Sequence, residues 1–284
     1  MISPPVVHMP LAQPQQPCFG VFDSGLGGLS VLRSLRQLRD DADIVYVADS
    51  RHAPYGEKPI DFIVRRSLSI AEFLIEQGAD LIVVACNTAT AAAAGALRAA
   101  HPELPIVGVE PGIKPAAQRS RNRSIGVLAT EATLASDRFQ LLAQAHAAHV
   151  RLTLQAGVGL AAAIENHPLD SDAVRRCVEA CCAPLRAAGV DTVVLGCTHY
   201  PLVADLIARQ FDPTVELIDT SEAIARRTLD LLPRENPADH HERRLTLWSS
   251  GEPKRLQEAC TRWLNESPPS EALPAQWAGI ASAN

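Results

Sequence analysis

The chain has 284 residues, 47% apolar and 20% charged, with a net charge of −6. That length allows a substantial core in one or two domains, and the composition is that of an ordinary globular protein, not a disordered or fibrous one. The acidic balance leaves no basic footprint for nucleic acid, no apolar stretch reaches the roughly 20 residues that span a bilayer, and seven cysteines without a CxxC pair do not read as a disulfide scaffold.

The opening stretch, residues 1–17, is rich in proline and glutamine and lacks a basic segment followed by an apolar run. It is expected to be a loose arm and not a signal peptide, so a cytoplasmic location is expected. A strand and turn are predicted in "CFGVFDSG" (18–25), then a helix over 27–39 with Leu29, Leu32 and Leu35 at helical spacing. Next come a strand at 43–50, a helix over 59–78 ended by Gly78, a strand at 80–88, an alanine-rich helix to about residue 100, and a strand at 105–111. The series then restarts with a strand and turn at 124–133, a helix over 136–148, a strand at 150–156 and helices over 159–166 and 172–189. A strand at 191–201, a helix over 201–211, and a strand plus helix over 215–232 follow. In the helix over 172–189, Cys177, Cys181 and Cys182 fall at helical spacing and read as core thiols.

Strands alternating with helices imply parallel pairing with both sheet faces covered. The pattern also repeats. Gly78, Asp80 and Cys86 precede Gly189, Asp191 and Cys197 by 111 positions each, "FGVFDS" aligns with "IGVLAT" at 106, and "VGVEP" with "ELIDT" at 109, which sets Glu110 over Asp219. The expected fold is therefore α/β: two similar doubly wound domains with mostly parallel sheets, related by a pseudo-twofold axis, with the active site in the cleft between them. The expected boundaries are 18–110 plus 219–266 for the first domain, 111–218 for the second, and a weakly structured tail over 267–284 in which Trp277 is the residue suited to dock. Hinges are expected near 110–113 and 217–221.

Ligands of open parallel sheets sit beyond the carboxyl ends of the strands. Asp23, Cys86, Thr130 and Cys197 all lie at such ends, so the repeated thiols should face one shared cavity. Two like groups on opposite sides of a carbon suit inversion of a stereocentre: one removes a proton, the other delivers one to the opposite face. Each thiol precedes a predicted helix start, where amide donors and the helix dipole favour thiolate and can also hold a substrate carboxylate. Asn87, Thr88 and Thr198 add compact donors. His199 reads either as a proton relay beside Cys197 or as a polar cap, and Asp23 either as a site carboxylate or as an N-cap. "GLGGLS" lacks dinucleotide-fingerprint spacing, no zinc-ligand spacing or P-loop occurs, and none of Lys58, Lys114 and Lys254 sits in a pyridoxal motif. Neither a metal nor a cofactor is expected.

Four motifs in order, "VFDSGLGGLSVLRSL", "VYVADSRHAPYGEK", "VVACNTATAAA" and "VLGCTHYPLV", resemble the glutamate racemases of the cofactor-independent aspartate/glutamate racemase superfamily, over roughly residues 19–230. The resemblance implies interconversion of L- and D-glutamate to supply D-glutamate for peptidoglycan. It implies Cys86 as the acid/base group acting on the D-enantiomer and Cys197 on the L-enantiomer. Asp23 would assist the first thiol; His199 and Glu165 would assist the second. Substrate contacts would come from Asp23, Ser24, Tyr55, Gly56, Asn87, Thr88, Thr130, Thr198 and His199. A homodimer and a cell-wall-precursor activator are the candidate partners beyond the amino acid. Ala129 departs from the glycine usual before Thr130, and its methyl is expected to narrow the pocket or shift that loop. Two rival readings stand beside this one: a racemase of aspartate or another acidic amino acid, and a two-domain binding module that holds an amino acid without turning it over. The second rival has no need of paired thiols.

Overall fold

A computed structural model describes residues 17–38, 42–231 and 243–279. The arm expected over 1–17 lies, but for its last residue, outside them. The first run of elements is β1 (Cys18–Asp23), α1 (Leu29–Leu38), β2 (Asp43–Ala48), α2 (Ile60–Glu76), β3 (Leu81–Val84), α3 (Asn87–Ala100) and β4 (Ile106–Gly108). A second run holds α4 (Ile113–Arg119), β5 (Ser124–Ala129), α5 (Glu131–Ala135), α6 (Asp137–His146), β6 (Arg151–Ala156), α7 (Leu160–Asn166), α8 (Asp172–Ala187), β7 (Thr192–Gly196), α9 (Ala204–Ala208) and β8 (Glu216–Ile218). The chain then returns with α10 (Ser221–Asp230), β9 (Leu245–Ser249), α11 (Pro253–Leu264), β10 (Ser270–Ala272) and α12 (Ala275–Ala278).

The strands form two sheets, ordered β10-β9-β2-β1-β3-β4 and β6-β5-β7-β8, with every pairing parallel. Parallel sheets need apolar cover on both faces, and alternate strand residues supply it. In the first unit, Phe19, Val21, Leu81 and Val83 pack with α1, α10 and α11, while Phe22, Ile82 and Val84 pack with α2 and α3. In the second, Leu128, Val193 and Leu195 pack with α7 and α8, while Ile125, Val127 and Val194 pack with α4 and α6. Cys181 and Cys182 sit in that core, as their helical spacing predicts, and Cys177 is half-buried beside them. Among the described residues no helix is long and apolar enough to cross a membrane, and no cluster of His, Cys, Asp and Glu is placed to hold a metal.

The repeat extends to register. Phe19 pairs with Leu81 and, 106 and 111 positions on, Ile125 pairs with Thr192. Gly78 and Gly189 both adopt left-handed backbone, φ 87° and 66°, which lets the preceding helix stop sharply before the strand. One alignment needs correction. Val83 pairs with Val107, and its counterpart Val194 pairs with Ile218. The matching offset for β4 and β8 is therefore 111, not 109, and Glu110 does not overlie Asp219. A two-residue slip leaves the strand's faces unchanged, so the apolar pattern alone could not reveal it. The two carboxylates have different tasks: Glu110 pairs with Arg138, and Asp219 accepts from the amide and hydroxyl of Ser221, the first residue of α10. The two crossings between units lie against each other, since a Cβ on Gly112 would come within 2.7 Å of Ile218 Cγ2.

No element is predicted after residue 232, yet β9 and α11 complete the first unit. β9 reads LTLWS, with Leu245 and Leu247 inward, too short an alternation to stand out. The predicted 201–211 helix is broken into a 3₁₀ turn at Tyr200–Val203 and the five-residue α9, with Pro201 at the start. The tail corrects the expectation of weak structure over its described part. β10 pairs with β9, and the Trp277 ring lies 6.4 Å from that of Phe73. Arg66, buried on α2, donates to the carbonyls of Trp277 at 2.8 Å and Gly279 at 2.6 Å. Docked backbone carbonyls need such a donor, and its position 211 residues earlier has no local signature.

Candidate active site

The carboxyl ends of β1, β3, β5 and β7 converge where the two units meet. Their loops touch reciprocally. Thr88 Oγ1, after β3, lies 3.0 Å from Thr130 Oγ1, after β5. Thr198, after β7, donates to Asp23 Oδ1 at 3.2 Å, at the end of β1. First-unit β3 meeting second-unit β5, and second-unit β7 meeting first-unit β1, is the exchange a pseudo-twofold axis produces.

Cys86 is buried and caps α3: its sulfur accepts the Ala89 amide at 3.5 Å, and its thiol donates to Ser24 Oγ at 3.6 Å. A helix N-terminus was expected to favour thiolate here. Burial, the Asp23 carboxylate and the charge of Cys197 instead push the Cys86 thiol well above its ordinary range, overcoming the Ala89 and Ser24 contacts. Cys197 is also buried, but it is followed by a 3₁₀ turn and not by an α-helix start. Its sulfur lies 3.7 Å from His199 Nδ1, and His199 Nε2 lies 2.7 Å from Glu165 Oε1. Burial disfavours the imidazolium, yet the hydrogen bonds and charges of Cys197 and Glu165 outweigh it and hold His199 well above its ordinary value. Glu165 moves the other way: burial raises it, but His199, the Leu26 amide and Arg255 leave it lowered. His199 thus bridges the Cys197 sulfur and the Glu165 carboxylate, one ring nitrogen to each. Burial raises Asp23, partly offset by His199 and by the amide of Gly25, which donates at 2.9 Å.

The repeat assigns Ser24 to Thr130 and Asn87 to Thr198, a match of hydroxyls and small polar groups. It breaks at two positions: Asp23 stands where the second unit has Ala129, and His199 stands where the first has Thr88. One thiol therefore has a carboxylate beside it and the other an imidazole, so the two sulfurs sit in different electrostatic surroundings. Ala129 does not narrow the cleft. Its side chain joins the core of the second unit with Ile125 and Val127, beside Gly196, where a Cβ would come within 2.7 Å of it. Thr130 still caps α5.

The Tyr55 hydroxyl donates to Asp49 Oδ2 at 2.5 Å, inside the first unit. Gly56 lies against Thr130, to which a Cβ would come within 3.2 Å. Asn87 opens α3, with its amide 3.4 Å from the Val109 carbonyl. Two functional features escaped sequence reasoning. A Cβ on Gly25 would collide with Glu165 Oε1, and one on Gly27 would come within 2.5 Å of His199 Nδ1. Gly25 and Gly27 of "GLGG" are seats for a dyad brought in by the opposite unit, and nothing local reveals it. The second feature is Leu26, whose amide donates to Glu165 Oε1 at 2.6 Å across 139 residues of chain.

The Asp/Glu/Hydantoin racemase family model matches residues 28–228. A glutamate racemase of Ectopseudomonas mendocina (strain ymp) is 47% identical over 248 residues, covering 87% of this chain and 94% of that protein. Among solved structures, the glutamate racemase isoform RacE1 of Bacillus anthracis superposes with a TM-score of 0.82 at 28% identity, covering 92% of this chain and 98% of that one. The Escherichia coli glutamate racemase, in complex with L-glutamate and the activator UDP-MurNAc-Ala, gives 0.78 at 33% identity, covering 91% and 98%.

Proposed function

The chain belongs to the Asp/Glu/hydantoin racemase family, and from that premise we propose that it interconverts L- and D-glutamate, with Cys86 and Cys197 acting on opposite faces of Cα. The observation that carries this reading is the pair of buried thiols at matching strand ends, in loops that touch reciprocally, each with a different charged neighbour.

In one direction the Cys197 thiolate takes the Cα hydrogen as a proton. The C–H bonding pair stays on the substrate, spread into its α-carboxylate. Cys86 then delivers its thiol proton to the other face. Cys197 ends as thiol and Cys86 as thiolate, and the return reaction resets both. His199, braced by Glu165, stabilises the Cys197 thiolate, and Asp23 favours the protonated Cys86. With Cys197 as the thiolate, the site acts on the enantiomer whose Cα hydrogen faces that sulfur, which the resemblance assigns as L. The two carboxylates and the ammonium of the substrate would be held by Asp23, Ser24, Asn87, Thr88, Thr130, Thr198 and His199, by the first amides of α3 and by the Tyr55–Gly56 segment. Fixed donors of this kind gain strength as charge develops in a dry site. Since both sulfurs are buried, substrate entry requires the units to part, with the adjacent crossings near 110–113 and 217–221 as hinges. Supply of D-glutamate for peptidoglycan, a cytoplasmic homodimer and a cell-wall-precursor activator belong to the same reading.

Circular dichroism of D-glutamate mixed with purified protein and no pyridoxal phosphate should decay to zero. Faster Cα deuterium incorporation into aspartate than into glutamate would reassign the substrate, and binding without turnover of either would make the protein a binding module. Gly27→Ala should lower kcat by roughly 100-fold, because a displacement of about 1 Å suffices for such a loss and the new methyl must move His199 off Cys197. Undiminished kcat in that variant would remove His199 from the mechanism.

A further inference from the structure

We propose that Arg255 is a positioning residue for the reaction: reaching across from the first unit, it holds the outer oxygen of Glu165 so that the inner oxygen stays on His199. The proposal rests on the reading that Glu165 and His199 serve Cys197.

Glu165 uses a single oxygen for its two close contacts. Oε1 accepts from the Leu26 amide at 2.6 Å and from His199 Nε2 at 2.7 Å. Oε2 points the other way, and Arg255 Nη2 lies 3.8 Å from it. The same guanidinium nitrogen reaches Asn166 Oδ1 at 3.4 Å, so it straddles the last turn of α7 from its place on α11. A carboxylate fixed at one oxygen can still rotate about that contact, and Oε1 cannot serve both Leu26 and His199 once it does. A cation on Oε2 removes that freedom.

The surroundings make the restraint necessary. Glu165 and Arg255 line a cavity of about 410 Å³ shared with Leu26, Asn166 and Trp263. Water in it competes for Oε2 unless a cation is held there. Lys254, Arg262, Glu252 and Glu258 also line this cavity, and Lys254 lies 3.9 Å from Glu258. Beside His199 on Oε1, Arg255 is the residue that the described ion pairs place on Oε2 of Glu165, and it contributes to the lowering of the Glu165 carboxyl. It is 43% exposed, so an ion pair there adds little to stability. Its removal should disturb the chemistry and not the fold.

The test is a double-mutant cycle with Glu165→Gln, reading kcat and KM for both enantiomers together with Tm. Arg255→Met should lower kcat roughly three- to tenfold, a fraction of the 10²–10⁴ that a positioned acid–base group contributes, with KM and Tm nearly unchanged. Arg255→Lys should restore most of the loss, because a cation at that place is what matters. In the Glu165→Gln background, Arg255→Met should cost nothing further. An equal loss in both backgrounds would overturn the proposal and leave the role of Glu165 intact. Wild-type rates in Glu165→Gln itself would overturn both. A fall in Tm that accounts for the lost activity and is not relieved by Lys would assign Arg255 a structural role only.

Discussion

Cys86→Ala and Cys197→Ala are each expected to lose racemisation by at least about 10³-fold, near the upper part of the range for a positioned proton-transfer group. The size follows from the circuit. With Cys86 gone, the Cys197–His199–Glu165 assembly can still remove a proton from one enantiomer, but only the same sulfur is left to return it, to the same face. With Cys197 gone, the remaining thiol is the one that burial and Asp23 keep protonated, so even the first step is suppressed. The mirror-image substrates have an equilibrium constant of one, so the loss in kcat/KM is identical in both directions for each variant. Polarimetric progress curves from each pure enantiomer measure this. Both variants should still bind glutamate, since neither sulfur is among the groups assigned to the carboxylates. Retention of a few per cent of activity in both would end the two-thiol mechanism.

Arg66→Met is expected to destabilise the protein by about 3–5 kcal/mol, the usual loss when one partner of a buried ion pair is removed. The Tm should fall by roughly 10 °C for a chain of this size. Arg66 and Asp49 are 1% and 0% exposed, and the pair is bidentate, with Nε and Nη2 of Arg66 donating at 3.0 and 2.9 Å. Methionine fills the stem's volume but strands the carboxylate with the Tyr55 hydroxyl as its remaining side-chain donor. It also frees the carbonyls of Trp277 and Gly279. Adding Asp49→Asn should recover part of the loss, because the stranded charge goes with it. Thermal unfolding of the single and double variants measures both effects. A single variant within 1 kcal/mol of wild type would mean that the pair's desolvation had offset its attraction. The same network ties the docked tail to Tyr55, so KM for glutamate should rise in the folded fraction of Arg66→Met.

Much of this architecture can be read along the chain. "LIVV" before Cys86 and "TVVLG" before Cys197 have to be buried parallel strands, and Gly78 and Gly189 have to end the helices before them. Period and punctuation are local properties. Recurrence at a constant spacing then implies two units and a shared cleft. Shorter or more remote features are not legible in this way. β9 shows too few alternations, the offset of β8 hides in a two-residue slip, and the tail's order depends on an arginine in α2.

What the amino-acid order by itself determined is which residues stand at the strand ends: two thiols, one carboxylate and one imidazole, each set by alternation and turn chemistry within about ten residues. What only the tertiary structure decided is the state of those groups. The amides around Cys86 favour thiolate, but burial and Asp23 reverse the preference, and a desolvation energy depends on everything packed around the sulfur. His199 is pushed toward its charged form because Glu165 arrives from another helix, into space that Gly25 leaves open and onto an amide 139 residues away. Charge and proximity act through space, and a linear sequence records neither.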